Sequence, residues 1–65
     1  MNKEERIQAH AALIETLNQD LIALVGLAQR SSGRQYDDLQ ETINKQKSMI
    51  AREGILLAAD VLRGN

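Results

Sequence analysis

Two rows of apolar residues spaced seven apart divide this chain into two halves. A repeat of seven places side chains on one stripe of an α-helix. Read in opposite directions, the two rows pair at equal distances from residue 32. This symmetry predicts an all-α fold, a two-helix antiparallel hairpin of the coiled-coil type. The rows are Ile7, Ile14, Leu21 and Ala28 in the first half, and Tyr36, Ile43, Ile50 and Leu57 in the second.

Signals at the ends of these stripes predict the bounds of the helices. Asn2 is a favourable N-cap, and Glu5 stands three residues later, as in a capping box. Helix one is therefore expected over about 3–30. Gly33 lies in the breaker segment 31–34 and can adopt the left-handed conformation that often closes a helix. Helix two is expected over about 35–62, so that the chain, 1–65, forms a single helical hairpin.

Composition limits how such a hairpin can be stabilised. At 65 residues the chain is marginally stable on its own, and it contains no Cys that could form a disulfide. Association with another chain, for example into a helical bundle or a homodimer, is the expected remedy. The net charge of −1, from 8 basic and 9 acidic residues, lacks the basic excess of a nucleic-acid-binding surface. No uninterrupted apolar run reaches the roughly 20 residues of a membrane span, and no secretory signal is evident. We therefore expect a cytoplasmic protein.

His10 is the one polar residue on the helix-one stripe, and the predicted register places it opposite Glu53 or Gly54. We interpret it as a partly buried histidine paired with Glu53 rather than as a base or a pH switch. No nucleophile stands beside it, and a lone His does not make a zinc site. The sequence therefore supports no catalytic residue, cofactor or metal, and we expect no enzyme. We expect Gly54 to allow a close approach of the two helix backbones.

Apolar residues exceed what one antiparallel neighbour can cover, particularly from Leu21 to Ala28 and from Met49 to Leu62. Contiguous apolar surface on a soluble chain usually marks an interface. Tyr36, the only aromatic residue, is expected to cover Ala28 at the turn and can also contact a partner. The candidate protein-interface residues are Ile22, Val25, Tyr36, Met49, Leu56, Ala59 and Leu62.

Helix two opens with Gln35-Tyr36 after a glycine-containing turn, has Gln40 four residues later, and ends in an apolar segment from Ile50 to Leu62. In this it resembles the small E-type co-chaperones of the type III secretion needle subunit, which are helical hairpins of similar length. The resemblance covers the whole chain in architecture and rests, in residue identity, mainly on Gln35, Tyr36 and Gln40. It implies binding to a tetratricopeptide-repeat chaperone, which with this chain keeps the needle subunit soluble before export.

Two other functions remain open from the residues. Two hairpins can form a four-helix bundle, which would make the chain a structural homodimeric interaction module. A small regulator that binds nucleic acid would use the basic face of Lys45, Lys47 and Arg52. That face has no interleaved aromatic residues and reads more simply as a solvated helix surface.

Overall fold

The computed structural model describes residues 1–63, which form two long helices connected by a tight turn. Helix α1 spans Lys3–Gln29 and helix α2 spans Gly33–Leu62. The helices pack against each other in an elongated body of 49 × 14 × 14 Å. The predicted all-α helical hairpin is confirmed, and α2 begins two residues earlier than the sequence suggests.

Local hydrogen bonds explain where α1 begins and ends. The Asn2 side chain accepts a hydrogen bond of 2.8 Å from the backbone N–H of Glu5, and the Glu5 carboxylate accepts one of 3.5 Å from the backbone N–H of Asn2. This is the predicted capping box. At the other end, the Ser31 hydroxyl donates to the carbonyl of Leu27 at 2.8 Å and satisfies one of the terminal carbonyl groups.

Gly33 carries the conformational change at the turn. Its φ of 62° lies in the left-handed region that glycine enters at little cost, and α2 starts at this residue. Ser32 occupies the N-cap position of α2, but its side chain makes no capping hydrogen bond. The turn therefore depends on the backbone freedom of Gly33 and not on a serine cap.

The seam between the helices is built from two heptad positions. The a positions are the two rows that the sequence marks, and the d positions lie three residues after them: His10, Leu17 and Leu24 in α1, and Leu39, Gln46, Glu53 and Asp60 in α2. Among the described residues, three apolar side chains are buried, namely Leu17, Ala28 and Ile43. The remaining apolar seam residues are half-buried, except Tyr36, which is exposed. His10 contacts Glu53, the partner that the predicted register gives it. The hairpin is thus held by a narrow stripe, and most of both helices faces water.

A polar row runs along the d positions of α2 and was not recognised in the sequence. It consists of Gln46, Glu53 and Asp60, which are seven residues apart and lie in the seam. The Gln46 side chain donates to the backbone carbonyl of Leu17 at 3.4 Å. Asp60 is the most buried of the three, with 7% of its surface exposed, although it stands in the apolar end of α2.

The expectation that Gly54 marks a close approach of the backbones is wrong. A Cβ atom built on Gly54 would meet no atom within 4 Å, and the same is true of Gly26. The two helices are therefore separated by enough space at residue 54 to accept a side chain.

Candidate functional site

One flank of the seam carries an apolar groove, which we call the Leu56 groove. Its volume is about 190 Å³. Three large apolar side chains of this groove, Leu13, Met49 and Leu56, are each about half exposed. Arg52 and Glu53 supply charged groups to the same groove. It is lined by Leu13, Leu17, Met49, Arg52, Glu53 and Leu56.

A second groove, the Tyr36 groove, lies nearer the turn. It has a volume of about 330 Å³ and a more polar lining. Tyr36 and Ala28 both line it; Ala28 is buried, and Tyr36 is 40% exposed. That Tyr36 covers Ala28 stays a prediction. By helical position the two grooves lie on opposite flanks of the seam. The Tyr36 groove is lined by Val25, Ala28, Gln29, Tyr36, Gln40, Ile43 and Lys47.

The seven candidate interface residues are all exposed, but they do not form one surface. Met49 and Leu56 line the Leu56 groove, whereas Val25 and Tyr36 line the Tyr36 groove. The other three, Ile22, Ala59 and Leu62, line neither groove. Leu13 was not among the candidates, although it stands one residue before Ile14 of the helix-one row; it joins Met49 and Leu56 in one groove only when the two helices lie side by side.

A charged cluster closes the open end of the hairpin, where α1 begins and α2 ends. The His10 ring stands between two carboxylates of α2: Nδ1 lies 3.0 Å from Glu53 Oε2, and Nε2 lies 2.9 Å from Asp60 Oδ2. Arg6 Nε donates to Asp60 Oδ1 at 3.3 Å, and Arg63 Nη1 lies 4.0 Å from the same oxygen. We call these five residues the His10 cluster.

The contacts in the cluster shift the pKa values of two of its members. The hydrogen bond to Glu53 raises the pKa of His10 above its ordinary value of 6.5; burial opposes this effect, and the hydrogen bond and charge of Asp60 add to it. Burial by itself would raise the pKa of Asp60, but the hydrogen bonds from His10 and Arg6 and their charges lower it below 3.8. The sequence predicted the contact between His10 and Glu53 but missed Asp60. Its spacing of seven residues from Glu53 was the available signal.

The His10 cluster has the geometry of an ion-pair network. The two ring nitrogens point to different carboxylates instead of sharing a point where a ligand could sit. Within residues 1–63, no group of three or more His, Asp or Glu side chains is arranged to hold a metal ion. The chemistry of the cluster is therefore proton binding and charge pairing between the two helices.

Helix α1 has a second property that bears on where the chain acts. An 18-residue window within Lys3–Gln29 has a mean hydropathy of 1.4, and 11% of it is buried in the hairpin. By length and composition this helix meets the requirements of a membrane span, and so do signal sequences and core helices of soluble proteins. The expected absence of a membrane span therefore stays a prediction.

No family model, curated protein or solved structure matches this chain. The exposed grooves and the His10 cluster are thus the features from which its function is inferred.

Proposed function

We propose that this chain is a protein-binding helical hairpin whose Leu56 groove receives apolar side chains of a partner protein. The observation that carries the proposal is the contrast between the small buried core and the half-exposed Leu13, Met49 and Leu56 beside it. Large apolar side chains that gather in one groove on a molecule this small favour a partner that covers them.

The surface area of the free hairpin supports the same proposal. The chain exposes 4881 Å². A compact monomer of its 7.2 kDa would expose about 4,100 Å². The excess is the consequence of a two-helix body that has no third layer. A helical partner laid along the groove would supply that layer.

Burial in the groove can contribute a useful binding free energy. Complete burial of a large apolar side chain contributes roughly 1.5–3 kcal/mol. Because Leu13, Met49 and Leu56 are about half exposed, docking a partner would add roughly 1 kcal/mol for each of them. The charged groups of Arg52 and Glu53 are placed to orient the partner rather than to hold it.

For the identity of the partner we propose a tetratricopeptide-repeat chaperone, with this chain acting as its cytoplasmic co-chaperone in type III secretion. The helices of such repeats present apolar faces of the kind that the Leu56 groove would cover. The start of α2, with Gln35, Tyr36 and Gln40, supports this choice through its resemblance to the E-type co-chaperones. Through the chaperone, the chain would help keep the needle subunit soluble before export.

The test is co-expression with a repeat-type chaperone and a needle subunit, followed by capture on the tagged chaperone. Leu56→Asp should abolish capture, because an unpaired carboxylate would be buried in the contact. Ile55→Asp is the matched control: Ile55 is 70% exposed and does not line the groove, so capture should persist. Circular dichroism should report a helical hairpin for both variants.

The remaining outcomes separate the rival functions. Equal loss of capture in Leu56→Asp and Ile55→Asp would contradict a role for the groove. Loss of capture on reversing Lys45 and Lys47 to Glu, with Leu56→Asp unaffected, would favour the basic-face regulator. A native chain that captures no chaperone but forms a stable dimer would favour the structural homodimer.

A further inference from the structure

The two hydrogen bonds of His10 determine which protonation state its imidazole ring must have. Glu53 and Asp60 are acceptors when ionised, and each lies within 3.0 Å of one ring nitrogen of His10. Both nitrogens must therefore carry a proton to donate both hydrogen bonds. A neutral imidazole has one N–H, and its unprotonated nitrogen would face a carboxylate oxygen at contact distance. With both carboxylates ionised, the imidazolium cation is the form of the ring that donates both hydrogen bonds.

The two carboxylates are not equally dependent on His10. Asp60 also accepts a hydrogen bond from Arg6 and lies within 4.0 Å of Arg63, so it retains cationic neighbours when His10 becomes neutral. Among residues 1–63, the contact that the structure gives the Glu53 carboxylate is the one with His10 Nδ1. A neutral ring keeps a single N–H and can donate to only one of the two carboxylates. Asp60 is therefore the partner that His10 releases on losing a proton, because Arg6 continues to pair with it.

We propose that His10 is a proton-dependent latch between the open ends of the two helices. In its protonated form it holds two successive positions of the α2 polar row against α1. In its neutral form it keeps the contact with Glu53 and releases Asp60, which stays paired with Arg6. Because Asp60 stands two residues before the end of α2, deprotonation loosens the open end of the hairpin.

The charges that surround the latch support it and give the direction of the effect. Within the part of the chain that the structure describes, the charged groups that contact the ring are Glu53 and Asp60 on α2, and Asp60 is contacted in turn by Arg6 on α1 and by Arg63, which follows α2. The pKa of His10 is raised in the folded chain above its ordinary 6.5. The stabilisation that His10 supplies to the folded chain is therefore complete below pH 6.5 and is lost as the pH rises through the folded-state pKa of His10.

The experiment is a titration of the His10 ring by NMR in the full chain, in which it is the only histidine. We expect a midpoint above pH 6.5, protons on both ring nitrogens below it, and a shift of the Asp60 carboxyl resonance that follows the same curve. A midpoint at or below 6.5, or an Asp60 resonance that does not respond, would overturn the latch.

Variants give a second readout that does not depend on a partner. In Glu53→Gln the amide can donate to a neutral ring, so the His10 midpoint should fall relative to the native chain. In Glu41→Gln, which changes an exposed carboxylate outside the cluster, the midpoint should stay within error of the native value. An unchanged midpoint in Glu53→Gln would refute the contact with Glu53 on which the latch depends.

Thermal melts of His10→Gln provide the third readout. The native melting temperature should fall as the pH rises above 6.5, and this slope should be lost in His10→Gln. Other groups that titrate in this range are present in both chains, so the difference isolates His10. A slope that persists unchanged in His10→Gln would contradict the proposal; if that variant does not fold, the NMR titration of the native chain decides.

Discussion

At the residue scale, a histidine in the apolar seam is tolerated because its charge is shared. His10 meets two carboxylates, and one of these is also paired with Arg6. Ion pairs that are largely withdrawn from water add little net stability, but removal of one partner is costly because it leaves the others uncompensated. We expect the His10 cluster to disfavour a shifted register, because a shift would bury Asp60 against apolar side chains.

The first prediction concerns Asp60→Asn. The change removes the charge that Arg6 and His10 share, so the melting temperature should fall and the His10 titration midpoint should move down. Because the pKa of Asp60 is lowered in the fold, the stabilisation that Asp60 supplies is present above pH 3.8 and is lost as the pH falls through its folded-state pKa. Asp60→Asn should therefore not show this loss of stability at acidic pH. Melts from pH 2 to 8 check both effects.

Glu41→Gln serves as the control for Asp60→Asn. Glu41 pairs with Lys45 at 3.7 Å, but both side chains are more than two-thirds exposed. Such pairs on a helix surface contribute about 0.3–0.5 kcal/mol. Equal losses of stability in Glu41→Gln and Asp60→Asn would contradict the special role of the cluster.

The second prediction concerns three glycines, for which the sign of the stability change on substitution by alanine depends on the backbone conformation. Gly33 has a φ of 62°, so Gly33→Ala should destabilise the hairpin by about 1 kcal/mol. Gly26 and Gly54 lie within helices and have open space where a Cβ would stand. Gly26→Ala and Gly54→Ala should therefore each stabilise by roughly 0.5–1 kcal/mol. Denaturant unfolding of the three variants measures these differences, and a loss of stability in Gly54→Ala would restore the close-approach explanation.

At the element scale, the two helices begin in different ways. Helix α1 has a complete capping box, whereas the N-cap residue of α2 makes no side-chain hydrogen bond. Asn2→Ala should therefore cost about 1 kcal/mol and fray the first turn of α1. The matched change Ser32→Ala should stay within roughly 0.5 kcal/mol of the native chain. Denaturant melts and amide exchange at residues 3–6 distinguish the two, and a larger loss from Ser32→Ala would be contrary to the capping argument.

The stripe that joins the elements gives a prediction about the core. Ile43 is 2% exposed, and Ile22 is 71% exposed. Ile43→Ala should destabilise by about 2–5 kcal/mol, a large part of the stability of so small a domain. Ile22→Ala should stay within about 0.5 kcal/mol. Unfolding of both variants in urea checks the contrast; similar losses would show that Ile22 is covered by another chain.

At the scale of the whole molecule, the surplus apolar surface predicts self-association when no partner is present. Sedimentation at micromolar concentration should give about twice the 7.2 kDa monomer mass. Leu56→Asp should shift the chain to the monomer, because it places a charge in the Leu56 groove, and Ile55→Asp should not. A native chain that sediments as a stable monomer would oppose the claim that the groove requires cover.

The sequence determined the parts of this protein that depend on local chemistry and on periodicity. The heptad rows predicted the antiparallel hairpin, Asn2 and Glu5 predicted the first cap, and the register predicted the contact between His10 and Glu53. A repeat of seven fixes which stripe of each helix faces the other, because side-chain direction follows from helix geometry alone.

Only the tertiary structure decided which residues act together beyond that stripe. The second carboxylate on His10, the gathering of Leu13 with Met49 and Leu56, and the open space beside Gly54 depend on the spacing and relative heights of the two helices. Periodicity leaves these quantities free, since helices that bury the same stripe can differ in separation. Of the seven candidate interface residues, two therefore line one groove, two line the other and three line neither.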